Sequence, residues 1–426
     1  MKRISYYTPY LSIVLPGAQN PFHALRHRNF RLFSIGQFIS LAGTWMQVVA
    51  LGWLVLDLTD SPFYVGLVST LTSLPILLFT LWGGVLADRV HRRRALILLQ
   101  SLMLGDALAL ALLTVTGHVT VGWVMALALV HGTSAAFEVP IRQAFIVEMV
   151  GKEDLMNAIA LNSSNFNLTR IFGPALAGGI VAWVGVAPCF FINAASFLAV
   201  IACLLLMEDT GAANRSTGRS ALSTLREGTR YVLDTPLPRA LLGLTALYAI
   251  FGFAFISMLP VFARDVLHTG ADGYGGLMTA VGVGASIGAL GMAAIGHRFA
   301  RLRIIRAAGM VFALALAATA LVDHWWQAAA ALAVAGCAMI LNNVSTNTQL
   351  QMTAPDHLRG RVMGFYSLMV LGMAPFGSLQ AGWVSEHLGV PICLALGALV
   401  TAAGTLWLAA PATAPAAASG AAGAGA

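Results

Sequence analysis

Four charged residues stand inside long apolar stretches of the sequence, where their side chains could bind and release protons. They are Asp106, Glu138, Arg142 and Arg170. In a membrane helix each charge costs roughly 2.5–3.5 kcal/mol, so residues of this kind usually have a function. Burial favours the neutral form of a carboxyl and a nearby arginine favours its charged form, so a changing distance between them would load and release a proton.

Glu138 and Asp106 are the candidate proton-binding acids. Glu138 and Arg142 share one helix face, although Pro140 between them can bend the helix. At ~1.5 Å per residue from the predicted cytoplasmic ends, Glu138 lies about 13 Å deep, Arg142 about 7 Å, Arg170 about 18 Å and Asp106 about 16 Å. A permanently paired structural carboxylate is the alternative for Glu138, and a polar packing group is the alternative for Asp106.

A basic turn follows the second apolar stretch. It reads Gly-Gly-Val-Leu-Ala-Asp-Arg-Val-His-Arg-Arg-Arg from Gly83 to Arg94. Basic loops stay on the cytoplasmic side of a membrane, so this turn is predicted to be cytoplasmic. Gly84 lets another helix approach closely, and Asp88 can accept hydrogen bonds from nearby arginines or face a helix N-terminus. A loop that only sets orientation is the alternative.

The composition is that of a membrane protein. Hydrophobic residues make up 58% and charged residues 10%, against about a quarter charged in soluble domains, and the mean hydropathy is +0.80. The net charge is +7, but 21 of the 24 Lys and Arg residues fall on one predicted side and only Arg264 falls on the other. This basicity encodes orientation, and no nucleic-acid partner is expected. The four cysteines lack metal-ligand spacing, so neither a metal nor a cofactor is predicted.

Twelve apolar stretches of roughly twenty residues or more can each cross a bilayer. They predict an all-α polytopic membrane protein without a removable signal peptide. The stretches are 30–57, 61–87, 95–117, 121–147, 157–184, 187–207, 238–264, 272–296, 304–322, 325–352, 361–385 and 389–409. The predicted divisions are a cytoplasmic lead (1–29), a first six-helix bundle (30–207), a cytoplasmic linker (208–237) with an amphipathic helix near 222–233, a second bundle (238–410) and a disordered tail (411–426).

The two halves of the sequence are similar to each other. Segment 88–94 is echoed by 297–303, and Arg142-Gln143 is echoed by Thr348-Gln349. Turn 83–94 resembles the loop signature of the major facilitator superfamily, Gly-x-Leu-Ala-Asp-Arg-x-Gly-Arg-Arg, with His91 where that family has glycine. Other stretches resemble the branch that contains the bacterial enterobactin exporter and macrolide-efflux-type facilitators. They are 29–33, 43–47, 140–145, 161–163, 170–174 and 358–363.

This resemblance implies two six-helix halves with a substrate held between them. It implies an inner-membrane transporter that exports amphipathic small molecules of the drug or siderophore type, coupled to proton antiport. It also implies a conformational latch, in which Asp88 contacts the start of the eleventh span in the outward-open state and Glu148 approaches the loop arginines. The latch residues are Gly84, Asp88, Arg89, Arg92, Arg93, Glu148, Arg359 and Gly360.

Carriers of this superfamily line their cavity with spans one, four, seven and ten, so the resemblance makes Glu138 on span four the preferred proton-binding acid. The resemblance therefore implies the cavity residues Thr44, Trp45, Gln47, His131, Tyr248, Phe251, Phe255, Asn343 and Asn347. Plain packing is the alternative for His131 and for the aromatic stripe on span seven. Gly173, Pro174, Gly178 and Gly179 resemble an antiporter motif with one extra residue inserted, and a structural kink is the alternative there.

The predicted partners are a small-molecule substrate, protons and the lipid bilayer. We expect a monomer in the bacterial inner membrane with both termini in the cytoplasm. An uptake carrier for a small metabolite is the alternative, and a non-transporting receptor is a further one. A membrane-embedded enzyme would need a cluster such as His-x-x-Glu-His or a nucleophile beside a base, and the sequence has no such local cluster.

Overall fold

The structure, a computed structural model, describes residues 22–208 and 229–409, which are helical and contain no strand. Eleven of the described helices are long and apolar enough to cross a membrane. The twelfth, α5, has 30 residues but carries several Asn and Ser side chains in its first half. The helices are α1 (Arg28–Thr59), α2 (Pro62–Ala87), α3 (Arg92–Val115), α4 (Val121–Val150), α5 (Leu155–Val184), α6 (Ala187–Leu205), α7 (Pro236–Val266), α8 (Ala271–Ile295), α9 (Arg301–Leu321), α10 (Trp325–Thr353), α11 (Arg359–Leu388) and α12 (Val390–Ala409).

Each helix begins and ends within three residues of its predicted stretch, so the all-α class with twelve helices is confirmed. The predicted tail lies outside the described residues, as do 1–21 of the predicted lead. Most of the predicted amphipathic helix near 222–233 also lies outside them. Those assignments remain predictions.

The helices pack as two similar groups of six. In the first half α2 packs on α4 and α3 on α6, and in the second half α8 packs on α10 and α9 on α12. The halves meet through α5 against α8 and through α2 against α11, which are again equivalent pairs. This is the arrangement that the internal repeat indicates.

The connections between helices define two faces of the bundle. We call "basic face" the end that carries connections 88–91, 151–154, 296–300 and 354–358. We call "opposite face" the end that carries 60–61, 116–120, 185–186, 267–270 and 322–324.

Two helices of the second half are irregular. Helix α7 contains two π-helical turns, Tyr248–Gly252 and Phe262–Val266, separated by a short α-helical segment. Helix α11 is interrupted at Met373, between Gly372 and Ala374. Turns of the π type place an extra residue in the helix and are frequent at functional sites.

Asp154 ties the segment before α1 to the connection between α4 and α5. Its carboxylate contacts His23 at 2.9 Å, Arg26 at 2.9 Å and His27 at 2.7 Å. Hydrogen bonds from His27 and His23 lower the pKa of Asp154 to about 2. The segment that leads into α1 is therefore fixed to the first half at the basic face.

Candidate functional site

A cavity of about 260 Å³ lies between the two halves, near the middle of the bundle. Helices of both halves contribute to its wall, and none of the described residues that line it carries a charge. Its polar groups are hydroxyls, and three of them, Ser69, Thr72 and Ser257, already donate to carbonyls of their own helices. The lining residues are Val48, Leu51, Gly52, Val55, Val65, Val68, Ser69, Thr72, Phe253, Ile256, Ser257, Pro260, Tyr274 and Ser378.

Glycines bring the halves into backbone contact between this cavity and the opposite face. A Cβ placed on Gly66 of α2 would clash with the Ser378 carbonyl oxygen and lie 2.7 Å from the Gly382 Cα atom. A Cβ on Gly178 of α5 would lie 3.0 Å from the Gly275 Cα atom of α8. Small residues permit such close helix crossings in membranes. The two crossings close the cavity toward the opposite face.

Polar contacts reinforce this closure. Arg264 Nη2 lies 2.6 Å from Asp60 Oδ1 of the other half. Glu386 Oε2 of α11 accepts hydrogen bonds from Ser61 Oγ at 2.8 Å and from the Phe63 backbone N–H at 3.1 Å. Glu386 thus caps the N-terminus of a helix that belongs to the other half, where a negative charge is favourable.

Toward the basic face the halves separate. Leu77 of α2 still meets α11 at Gly372, but a Cβ on Gly84 or on Gly360 would meet open space. Asp88 is exposed and makes no hydrogen bond or ion pair with any residue that the structure describes. The protein is therefore closed at the opposite face and open at the basic face in this conformation.

We predict that Arg264→Gln and Glu386→Gln each weaken closure of the opposite face. Each change removes a charge that bridges the halves only in the closed arrangement, and partly exposed contacts of this kind contribute roughly 0.2–1 kcal/mol. Labelling of Ser257→Cys by a membrane-impermeant thiol reagent, in a background with the native cysteines replaced, should become faster from the opposite face. Unchanged labelling in a variant that carries both changes would contradict the role of these two charges in closure.

The predicted latch residues of the first half lie together beside the turn. Arg92 Nη1 lies 2.7 Å from Glu148 Oε2, and Arg92 Nε donates to the Ala87 carbonyl. Arg93 donates to the carbonyls of Leu204 and Leu205 at the end of α6, where carbonyl groups lack helical partners. These contacts fix the turn to its own half and leave Asp88 and Arg89 exposed.

The predicted latch residues of the second half are not joined to the turn in this conformation. Arg359 contacts Asp356 at 2.6 Å and donates to the Gln351 carbonyl. A contact between Asp88 and the start of α11 requires the basic face to close, so the outward-open conformation is where it is expected.

Buried Glu138 and half-buried Arg142 form an ion pair, with Arg142 Nε 2.8 Å from Glu138 Oε1. Both belong to α4, so a movement of one half against the other leaves their distance unchanged. Arg170 hydrogen-bonds Asn167 and lies 6.0 Å from the centre of the Phe166 ring, both on its own helix. This geometry favours the alternative of a permanently paired carboxylate at Glu138.

Asp106 and His131 face each other across α3 and α4. His131 Nδ1 lies 3.3 Å from Asp106 Oδ2, but the angles are not those of a hydrogen bond. Both line a cavity of about 50 Å³ together with Thr44 and Gln47, which exceeds the roughly 10–15 Å³ that a water molecule needs. Val48, Leu51 and Thr72 line this small cavity and also the central one. The Asp106 carboxyl therefore lies one layer of side chains from the central cavity.

The other predicted cavity residues are placed differently. Thr44 and Gln47 line the small cavity, and Gln47 also accepts a hydrogen bond from Asn193. Trp45 packs on Phe166 of α5. Asn343 and Asn347 are half-buried near Tyr366 and Gln351, away from the central cavity lining.

Tyr248 and Phe255 require a correction. Both are buried in the core of the second half, where Tyr248 hydrogen-bonds Thr405 and both rings pack on Phe312. Phe251 turns its backbone toward Gly397 of α12 and is also absent from the cavity wall. The π-turn Tyr248–Gly252 changes the helical phase, so Phe253 and Ile256 line the cavity instead.

The four residues of the antiporter-like motif have different surroundings. A Cβ on Gly173 would clash with Trp45 of α1, and the Pro174 carbonyl faces Gly275 of α8. Gly178 forms the crossing between the halves, whereas Gly179 faces open space. Three of the four residues thus serve helix packing, and only Pro174 and Gly178 act between the halves.

The sequence prediction missed the charges that join the halves at the opposite face. Arg264, the one Lys or Arg residue assigned to that side, was only a partial signal, because it already pairs with the neighbouring Asp265 at 2.6 Å and takes Asp60 as a second partner. Asp60 and Glu386 occupy predicted loop ends, where sequence alone gives them no distinct role.

Two six-helix halves around a central cavity define a membrane carrier. A family model described as transmembrane secretion effector matches residues 19–419. The chain belongs to this family of the major facilitator superfamily, and it is therefore a transporter and not an enzyme.

Solved structures support the same fold. A variant of the nucleoside transporter NupG matches with a TM-score of 0.75 at 13% identity, covering 90% of this chain and 99% of that one. A bacterial homologue of the human lysosomal transporter Spinster matches with a TM-score of 0.64 at 16% identity, covering 92% of this chain and 96% of the other.

Curated relatives are named as exporters or transporters. The multidrug efflux pump Tap of Mycolicibacterium fortuitum is 28% identical over 361 residues, covering 82% of this chain and 87% of that one. The staphyloferrin A transporter of Staphylococcus aureus is 25% identical over 364 residues, covering 84% and 90%. The enterobactin exporter EntS of Shigella flexneri is 27% identical over 362 residues, covering 83% and 86%.

Proposed function

We propose that this protein exports amphipathic small molecules of low charge across the bacterial inner membrane, driven by proton entry. The observation that carries the proposal is the charge-free cavity between the halves, closed on one side and open on the other. An apolar cavity with a few hydroxyls suits drug-like molecules better than polyanionic siderophores. Both cavity walls come from one chain, which supports a monomer as the working unit.

Purified protein in proteoliposomes tests this function directly. Under an imposed proton gradient, a fluorescent lipophilic drug should accumulate against its own gradient on the side from which protons enter, and a carboxylate siderophore should accumulate less. Net flux in the same direction as the protons would support the uptake carrier instead. Absence of any flux with either compound would contradict the proposed substrate class.

We propose that the basic face lies in the cytoplasm, together with both termini. The 21-to-1 distribution of Lys and Arg residues supports this orientation. Reporter fusions at Gly218 and in the 297–303 segment should give cytoplasmic signals, and fusions at His118 and His268 should give extracytoplasmic ones. An extracytoplasmic signal at Gly218 would refute the arrangement.

The proposed latch predicts the effect of Asp88→Asn. We expect normal expression but impaired transport, because the uncharged side chain loses its attraction to the start of α11 when the basic face closes. Arg94→Gln, in the same turn but without a latch role, is the matched control. Normal transport by Asp88→Asn would rule the latch out.

The geometry favours Asp106 over Glu138 as the proton-binding residue. Arg142 holds Glu138 within one rigid helix, whereas Asp106 Oδ1 has no hydrogen-bond partner among the described residues. The thin wall between the two cavities would let water reach Asp106 from whichever face the central cavity opens to. Alternating access to one buried carboxyl is the requirement for proton coupling.

A further inference from the structure

A groove of about 510 Å³ runs along the outside of the second half, between α8 and α9 with α10 as its floor. This volume falls within the roughly 300–1,000 Å³ of ligand sites. Small residues leave the space between its walls unfilled. They include Gly291 of α8 and Ala307 and Ala308 of α9. The groove is separate from the central cavity, with which it shares no lining residue.

The groove opens toward the surrounding membrane. The inward sides of α8 are occupied, because Gly282 packs on α5 and Gly288 packs on the α10 backbone. The remaining side of α8 exposes Ile287 by 59% and Leu290 by 72%. Apolar side chains exposed at this depth contact the hydrocarbon of the bilayer.

The groove ends at a cation on the basic face. Arg303, in the first turn of α9, lines its outer end beside the exposed ring of Phe299. The Arg303 guanidinium makes no hydrogen bond or ion pair with a described residue. Ile287 and Val311 at the inner end lie eight and ten residues from the nearest helix ends, about 12–15 Å, which is half of the ~30 Å hydrocarbon layer.

We propose that this groove binds an anionic phospholipid of the leaflet at the basic face. The acyl chain would occupy the apolar groove, and the phosphate would contact Arg303. The length of the groove matches one leaflet, and the unpaired arginine stands at the depth of the headgroups, where basic sites between helices bind anionic lipids. This site is independent of the transport cavity and of the proposed transport function.

Retention of lipid by the purified full-length protein tests the proposal. Native mass spectrometry with added phosphatidylglycerol should show roughly fivefold weaker binding to Arg303→Gln, as expected for the loss of one interfacial cation. Binding of phosphatidylcholine should change little. Gly291→Leu should weaken binding of both lipids, because its side chain enters the groove where a Cβ meets open space.

Matched controls come from the equivalent half. Arg94 is the third residue of α3, as Arg303 is the third of α9, and it is likewise exposed. Gly105 of α3 is exposed and has open space at its Cβ position. Arg94→Gln and Gly105→Leu should leave lipid retention unchanged. Ala307→Leu provides a second groove-filling variant if Gly291→Leu is poorly folded.

Three results would overturn the proposal. One is unchanged phosphatidylglycerol binding in both Arg303→Gln and a folded groove-filling variant. Another is an equal loss in Arg94→Gln, which would indicate general attraction to basic residues. The third is displacement of the lipid by a transported drug in wild-type protein, which would identify the groove as a substrate entry path.

Discussion

Replacing Gly178 by leucine is expected to trap the protein open at the opposite face and to abolish most transport. A Cβ at this position would lie 3.0 Å from both the Gly275 Cα atom and the Ala271 carbonyl oxygen, and a leucine side chain extends further into α8. Because the clash lies between the halves, separating them relieves it. Overpacking of about 1–3 kcal/mol would shift the equilibrium between the two conformations by roughly 5- to 150-fold.

Gly179→Leu is the matched control, because Gly179 is the next residue of α5 and its Cβ position faces open space. Drug transport in proteoliposomes and thiol labelling of Ser257→Cys from the opposite face should both be close to wild type in this variant. Gly178→Leu should transport slowly and label rapidly. Equal loss of transport in both variants, with no gain in labelling, would contradict the closure mechanism and favour a role for the whole glycine motif.

Replacing Asp106 by asparagine is expected to abolish the dependence of export on a proton gradient. Asparagine cannot bind or release a proton in the working pH range, so net export against a concentration gradient should fall to background. Downhill exchange should persist, because the small cavity keeps its shape and its polar lining. The measurement compares drug flux with and without an imposed gradient in the same proteoliposomes.

The control for this prediction removes Glu138, which like Asp106 is an acid buried within a membrane span. Glu138→Gln alone would leave the half-buried Arg142 without its partner, and an uncompensated charge in a membrane span is destabilising. The double variant Glu138→Gln/Arg142→Gln removes both charges together and should retain gradient-driven export. If the double variant loses gradient dependence while Asp106→Asn keeps it, the proton site belongs to α4, as the sequence alone suggested.

Helix positions were predictable because the apolar stretches have lengths set by the bilayer. The pair formed by Arg92 and Glu148 could also be anticipated, since both residues flank the basic face at neighbouring helix ends. Contacts between helices that are distant in the sequence could not be predicted. The neighbourhood of Asp106 and His131 depends on how α3 rotates against α4, and no periodicity in either helix specifies that angle.

The cavity wall of α7 shows a second limit. Regular spacing from Tyr248 to Phe255 predicts one aromatic face, and the structure buries that face in the second half. The π-turn at Tyr248–Gly252 inserts an extra residue, and no feature of the local sequence predicts this turn. The pairing of Arg264 with Asp60 was equally hard to predict, because the two residues are 204 positions apart in the chain and become adjacent only when the halves close.

The two π-turns of α7 each place an extra residue in the helix that lines the cavity from the second half. Each inserted residue corresponds to about 100° of helix rotation, and the segment between the turns is short and ends in a second π-turn. Migration of one extra residue along the chain would turn this segment by one position and bring the ring of Phe255 to the place of Ile256 at the cavity. The cavity wall formed by α7 could then take two alternative forms, and ligands of different shape would each bind the form that fits.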